Sequence, residues 1–224
     1  MTPLHTMLDG CSWAGSLPAD LRARVDAESF ARHCAAGTWV CRKGEPVLHW
    51  IGVIDGLVKM TNVSAHGKPT MLTGVPTGGW FGEGSLLKDE PRRYDIVALR
   101  DSDIACVPRA TFLALLDGCV AFNRFVLNQL NERLSQFIAL VEYDRLLAPD
   151  ARLARGLAAL FNPTLYPGLG PTLPISQEQL GQLVGLSRQR VNRALKRLQE
   201  AGLLRIEYGG VTVLGVDGLR EFEG

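Results

Sequence analysis

The chain has 224 residues, enough for two modest domains, and 46% of them are hydrophobic, which is ample for packed cores. Its net charge of +1 excludes a globally basic nucleic-acid binder or a polyacidic tail, so any charged function has to be local. The start, MTPLHTMLDGCSW, lacks the basic head and apolar run of a secretory signal, and the most apolar region, near residues 110–127, carries Asp117, Asn123 and Arg124, so no membrane span is expected.

In chain order, residues 18–36 read as helical. From Gly37 to about Pro108 short apolar runs alternate with turn signals at Lys43-Gly44, Asp55-Gly56, His66-Gly67 and Gly78-Gly79. That spacing predicts an antiparallel barrel or jelly roll. Pro108 should end the last strand, and a short helix should run through Leu116. A long helix is then expected over 118–147, carrying Val120, Leu127, Leu134 and Val141 seven residues apart. Asn123, Leu130, Phe137 and Asp144 form a second row at the same interval. A heptad stripe on one long helix predicts pairing with a second copy, through Val120, Leu127, Leu130, Leu134, Phe137 and Val141. Packing of the same helix on the barrel is compatible with this, because Phe122, Phe125 and Ile138 supply a second apolar side. Pro149 marks a hinge, near Leu147–Asp150. A helix over 150–161 and the Pro/Gly-rich stretch NPTLYPGLGPTLP come next.

Residues 175–198, ISQEQLGQLVGLSRQRVNRALKRL, then read as two short helices around a tight turn. Ser176 with Gln179 has the form of a capping box, Gly185 supplies the turn, and Ser187 caps the second helix. On that second helix Val191, Ala194, Leu195 and Leu198 fall on one side, and Arg188, Gln189, Asn192, Arg193 and Lys196 on the other. An apolar back and a front of long donors suit a recognition helix in a DNA major groove. Residues 203–208 and 211–214, β-prone around Gly209-Gly210, predict a hairpin or wing. Basic side chains cluster over residues 187–205: Arg188, Arg190, Arg193, Lys196, Arg197 and Arg205, against Glu200 alone.

The five cysteines are odd in number and lack C-x-x-C spacing, and the four histidines lack metal-ligand spacing. No metal site, iron–sulfur cluster or haem is therefore expected, and buried free thiols are. No nucleophile–base pair or phosphate loop supports an enzyme.

The order of barrel, long helix, hinge and winged helix–turn–helix resembles the CRP/FNR superfamily of transcription regulators along essentially the whole chain. Two motifs carry the resemblance: VGLSRQRVNRALKRL, and FGEGSLL (81–87) followed by Pro91-Arg92. It implies an α+β protein in three parts: an effector-sensing cyclic-nucleotide-binding-like barrel over 1–117, a dimerisation helix and hinge over 118–149, and a DNA-binding winged helix–turn–helix over 150–224. It implies a cytoplasmic homodimer that binds double-stranded DNA and RNA polymerase, away from membranes. Arg188 and Arg193 match base-reading arginines, with Gln189 as a third reader that favours adenine. Ser176, Ser187, Arg190 and Lys196 are then phosphate anchors. In the barrel, Glu83 would hold a ribose hydroxyl and Arg92 a cyclic phosphate. A small residue normally follows that arginine, and here Arg93 and Tyr94 do. The polar pair that faces a purine falls on Phe137 and Ile138, which offer it no hydrogen bond. Cyclic nucleotide is therefore not the expected effector. A salt bridge of Glu83 with Arg92 or Arg93, an apolar or aromatic effector against Phe137 and Ile138, or no small ligand remain open. A winged helix that docks protein is the alternative to DNA.

Overall fold

The computed structural model describes residues 2–63 and 69–223. Two four-stranded antiparallel sheets build the N-terminal barrel. One has the order β1 (Phe30–Cys34), β8 (Ser102–Pro108), β3 (His49–Asp55), β6 (Trp80–Phe81). The other runs β2 (Trp39–Cys41), β7 (Asp95–Ala98), β4 (Leu57–Val63), β5 (Pro69–Pro76). Val53, Val58, Phe81, Ile96 and Ile104 point between them and are buried. The Asp55-Gly56 signal is a real turn, with Gly56 at φ +111°, where a Cβ would also strike Ser102. The His66-Gly67 signal lies outside the described residues.

The expected helix over 18–36 is corrected. Helix α2 (Ala19–Glu28) stops at Ser29, and Phe30–Cys34 pairs with β8, Phe30 opposite Cys106. A distant strand claims this segment, which local propensity could not reveal. Helix α1 (Pro3–Gly10), capped by Thr2, was not expected, nor was α3 (Glu83–Lys88) inside the FGEGSLL motif.

Helix α4 (Arg109–Gly118) leads into α5 (Val120–Leu146), 27 residues and so ~40 Å long. Its inner face carries Phe122, Val126, Gln129, Arg133 and Gln136, spaced four or three apart and all buried. Phe122 belongs to an aromatic cluster with Trp13, Trp50, Trp80 and Phe112, in which Trp50 and Trp80 stack at 4.0 Å. The outer face leaves Val120, Leu127, Leu134 and Val141 between 51% and 69% exposed. Leu130 and Phe137, the second row of the seam, are half-buried. No single helix among the described residues is long and apolar enough to cross a membrane.

The C-terminal part packs α6 (Pro149–Ala159), α7 (Gln177–Val184), α8 (Arg188–Glu200) and α9 (Val216–Glu221) with a three-stranded sheet, order β10 (Leu204–Glu207), β11 (Gly210–Val213), β9 (Thr172–Leu173). The wing turn is Tyr208-Gly209, one residue earlier than expected, with Glu207 opposite Gly210. Strand β9 comes from the Pro/Gly-rich stretch read as loop. The core of this part, Leu153, Leu157, Leu180, Val191, Leu195 and Leu198, continues onto Leu57 and Met71 of the barrel.

Candidate nucleic-acid interface and effector site

The helix–turn–helix is set by local bonds. Ser176 Oγ accepts from Gln179 N–H at 3.2 Å, and Gln179 Oε1 accepts from Ser176 N–H at 2.9 Å, so the expected capping box forms. Gly185 closes α7 at φ +67°, and Ser187 Oγ accepts from Arg190 N–H at 3.4 Å to open α8. Gly181 fixes how closely the turn approaches: its carbonyl accepts from Leu186 N–H at 2.9 Å, and a Cβ there would lie 2.6 Å from Leu186 O. Gly181→Val is expected to destabilise the protein by roughly 1–3 kcal/mol, because backbone cannot rotate out of the way and the small gain in helix propensity does not offset the overlap. An unchanged melting temperature would show that the turn can relax.

Helix α8 buries Val191, Ala194, Leu195 and Leu198 and exposes Arg188, Gln189, Arg190, Arg193 and Lys196. Arg188, Gln189, Asn192, Arg193 and Lys196 share a surface recess of about 610 Å³ with Gln177, whose Oε1 accepts from Asn192 at 3.2 Å. Among the described residues, none of Arg188, Arg190, Arg193 and Lys196 has a carboxylate partner, whereas Arg197 pairs with Asp150 at the start of α6. Four cations exposed on one helix make a local positive field on a chain whose net charge is only +1. Ser176 and Ser187 sit at the N-termini of α7 and α8, where backbone N–H groups already favour phosphate.

The barrel candidates separate. Arg93 points outward, 68% exposed, and forks onto Glu90 at 2.8 and 2.6 Å. Arg93 and Lys88 hold the Glu90 carboxyl down to about 2. Arg92 is buried, donates to His49 O at 3.1 Å and lies against Gly82, whose φ of +98° and lack of a Cβ admit it. Neither arginine pairs with Glu83, so of the readings left open the Glu83–Arg92 or Glu83–Arg93 salt bridge does not form. The charge facing Glu83 is Arg133, its Nε 3.7 Å from Glu83 Oε1, with both side chains almost fully buried. Arg133 also donates to Trp80 O at 2.8 Å. Burial opposes its charge, and Tyr166, Glu83 and Tyr94 outweigh that, raising its pKa. Tyr94 does enter the barrel, where burial and then Glu83 push its pKa up.

Phe137 is half-buried, and Ile138 does not face the barrel. Ile138 is 61% exposed and extends the outer stripe, and the helix face turned to the barrel presents Gln129, Arg133 and Gln136 instead. Sequence reasoning missed these three, although they continue the Phe122/Val126 spacing. Sequence reasoning also missed Leu165 and Tyr166. From the stretch after α6 they insert between the sheets, 1% and 2% exposed, beside Val75, Phe81 and Ile96. Tyr166 donates to Gly74 O at 3.1 Å. Among the described residues no three His, Cys, Asp or Glu side chains gather around a common point, and all five cysteines are free thiols, four of them buried.

Comparison with known proteins agrees with both halves. Residues 31–119 match the cyclic nucleotide-binding domain family and residues 151–222 the Crp-like helix-turn-helix domain family. The cyclic AMP receptor protein of Thermus thermophilus is 34% identical over 163 residues, covering 72% of this chain and 73% of the relative. The cAMP-activated global regulator CRP of Haemophilus influenzae is 26% identical, covering 83% and 87%. In fold, the structure is similar to FixK2 from Bradyrhizobium japonicum, with a TM-score of 0.72 at 18% identity over 88% of this chain and 98% of that one. The c-di-GMP-responsive regulator CLP of Xanthomonas campestris gives 0.61 at 24% identity, covering 88% and 100%.

Proposed function

The chain belongs to the CRP/FNR family of DNA-binding transcription regulators, and from that premise we propose that two copies pair along α5 and read a palindromic DNA site. Residues 1–117 sense an effector, 118–149 pair the copies and carry the hinge, and 150–224 bind DNA. Arg188, Gln189 and Arg193 contact base edges, and Ser176, Ser187, Arg190 and Lys196 contact phosphates. The observation that carries this is the exposed set of cations on α8, Arg188, Arg190, Arg193 and Lys196, with no carboxylate partner among the described residues. A regulator of this kind works in the cytoplasm, beside RNA polymerase. Selection of binding sites from a random DNA pool is the test. The expected product is a palindrome whose half-sites lie about one helical turn, ~34 Å, apart. A pool that never converges would refute DNA reading and favour a winged helix that docks protein.

The effector is not cyclic AMP. That nucleotide is named for the Thermus and Haemophilus relatives. Here Leu165 and Tyr166 occupy the space between the sheets, Arg133 faces Glu83, and Arg92 is engaged by His49 O. A nucleotide would have to displace packed side chains worth about 1.5–3 kcal/mol each. Calorimetry with cyclic AMP and cyclic GMP should give no binding or weak binding. A sub-micromolar Kd for either would overturn this reading.

A further inference from the structure

A cavity of about 930 Å³ lies outside the barrel, in a cleft between α1, α5 and residues 163–168. That suits a drug-sized or cofactor-sized molecule. Its walls include Met7, Trp13, Trp80 and Phe125. Three polar observations accompany this apolar lining. Arg124 borders the cavity on the exposed side of α5 and has no carboxylate partner among the described residues. Gln129 is 5% exposed; its Nε2 donates to Thr164 O at 2.7 Å, and its Oε1 is buried without a partner. The indole N–H groups of Trp13 and Trp80 are also buried there, with only the weak acceptor Cys11 Sγ beside them. Interiors rarely leave such groups unsatisfied, and orphaned polar atoms around an apolar cavity are what a ligand with polar substituents would meet.

We propose that this cleft is a small-molecule site for a planar aromatic anion, its rings against Trp80, Trp13 and Phe125 and its negative group at Arg124. Ring faces and edges favour an aromatic body over a flexible chain. A lone guanidinium at the mouth selects carboxylate or sulfonate. Asp55 on the rim disfavours a second negative group there. The position suits an effector, resting on the reading as a regulator. Residues 163–168 form one wall, and the same segment carries Leu165 and Tyr166 into the barrel and leads on to β9 and α7. Occupancy would bear on the connection to the helix–turn–helix.

The test uses two dyes on the full chain without DNA, so that it stands apart from DNA reading. They are 8-anilinonaphthalene-1-sulfonate and its neutral parent N-phenyl-1-naphthylamine. Both are expected to bind saturably, with energy transfer from tryptophan. Arg124→Gln, a change at an exposed position, should weaken the sulfonate about tenfold and leave the neutral dye unchanged. Ala121→Phe fills the cavity and should abolish both. Ser135→Glu, at an exposed position of α5 outside the cavity lining, should affect neither. Absence of saturable binding, equal response of the two dyes to Arg124→Gln, or full binding to a folded Ala121→Phe would each overturn the site.

Discussion

Leu134→Glu is expected to convert the protein from dimers to monomers in sedimentation at micromolar concentration. The outer face of α5 presents Val120, Leu127, Leu134, Ile138 and Val141 to solvent, at exposures of 69%, 64%, 58%, 61% and 51%. Five large apolar side chains in register on ~40 Å of helix make a patch of the kind that interfaces cover. Burying one leucine contributes about 1.5–3 kcal/mol, and a twofold seam counts it twice, so losing Leu134 costs roughly 3–6 kcal/mol before any charge is considered. The glutamate adds the penalty of placing two like charges in an apolar seam. At ~1.4 kcal/mol per tenfold, association should weaken by at least ~100-fold. Ser135→Glu adds the same charge one residue away, on an exposed position off the stripe, and should stay dimeric. A Leu134→Glu protein that sediments as a dimer would rule this interface out. The same variant should lose its hold on a full palindrome while keeping its melting behaviour, since Leu134 contributes little to its own protomer's core.

The parts of this molecule that are legible in the sequence are those written in local patterns. The outer stripe of α5 is a seven-residue repeat within one helix, and the helix–turn–helix is a cap, a glycine and an amphipathic split within 24 residues. Both can be read without knowledge of any distant partner. Elements decided by distant partners are not legible in this way. Phe30–Cys34 is a strand because β8 pairs with it. Thr172–Leu173 is a strand because Val211 and Thr212 lie opposite. The Glu83–Arg133 pair joins residues fifty positions apart, and the nearer Arg92 and Arg93 are the natural guess for Glu83. Placing Ile138 in the pocket follows from alignment without gaps; its neighbours Leu134 and Val141, three or four residues away, put it on the outer stripe instead. A Pro/Gly-rich segment suggests a passive connection, yet its two large side chains, Leu165 and Tyr166, are core residues of the barrel. Large apolar groups within such a segment are the signal that could have shown this.

Arg188→Ala is expected to relax the preferred DNA sequence at one base pair per half-site. Its guanidinium stands at the N-terminus of α8, exposed and unpaired among the described residues, in the recess shared with Gln189, Asn192, Arg193 and Lys196. A bidentate bond to guanine O6 and N7 contributes ~1–3 kcal/mol of discrimination, so a symmetric site should lose about 2–6 kcal/mol in all. Arg193→Ala should act likewise at a different base pair. Lys196 is a point charge one turn further along, and Lys196→Ala should weaken every sequence alike while lowering the salt slope by about one unit for each phosphate that the lysine neutralises. Gln189→Glu discriminates further. The amide both donates and accepts, which fits adenine N6 and N7, while a carboxylate can only accept, which fits the cytosine amino group. Preference at that base pair should therefore move from adenine to cytosine, with neighbouring positions unchanged. Site selection from a random pool, run for the wild type and each variant at fixed salt, resolves the three base-reading outcomes, and affinities measured across a range of salt concentrations resolve the fourth. If Arg188→Ala selects the wild-type consensus with undiminished discrimination at every position, α8 does not read the bases.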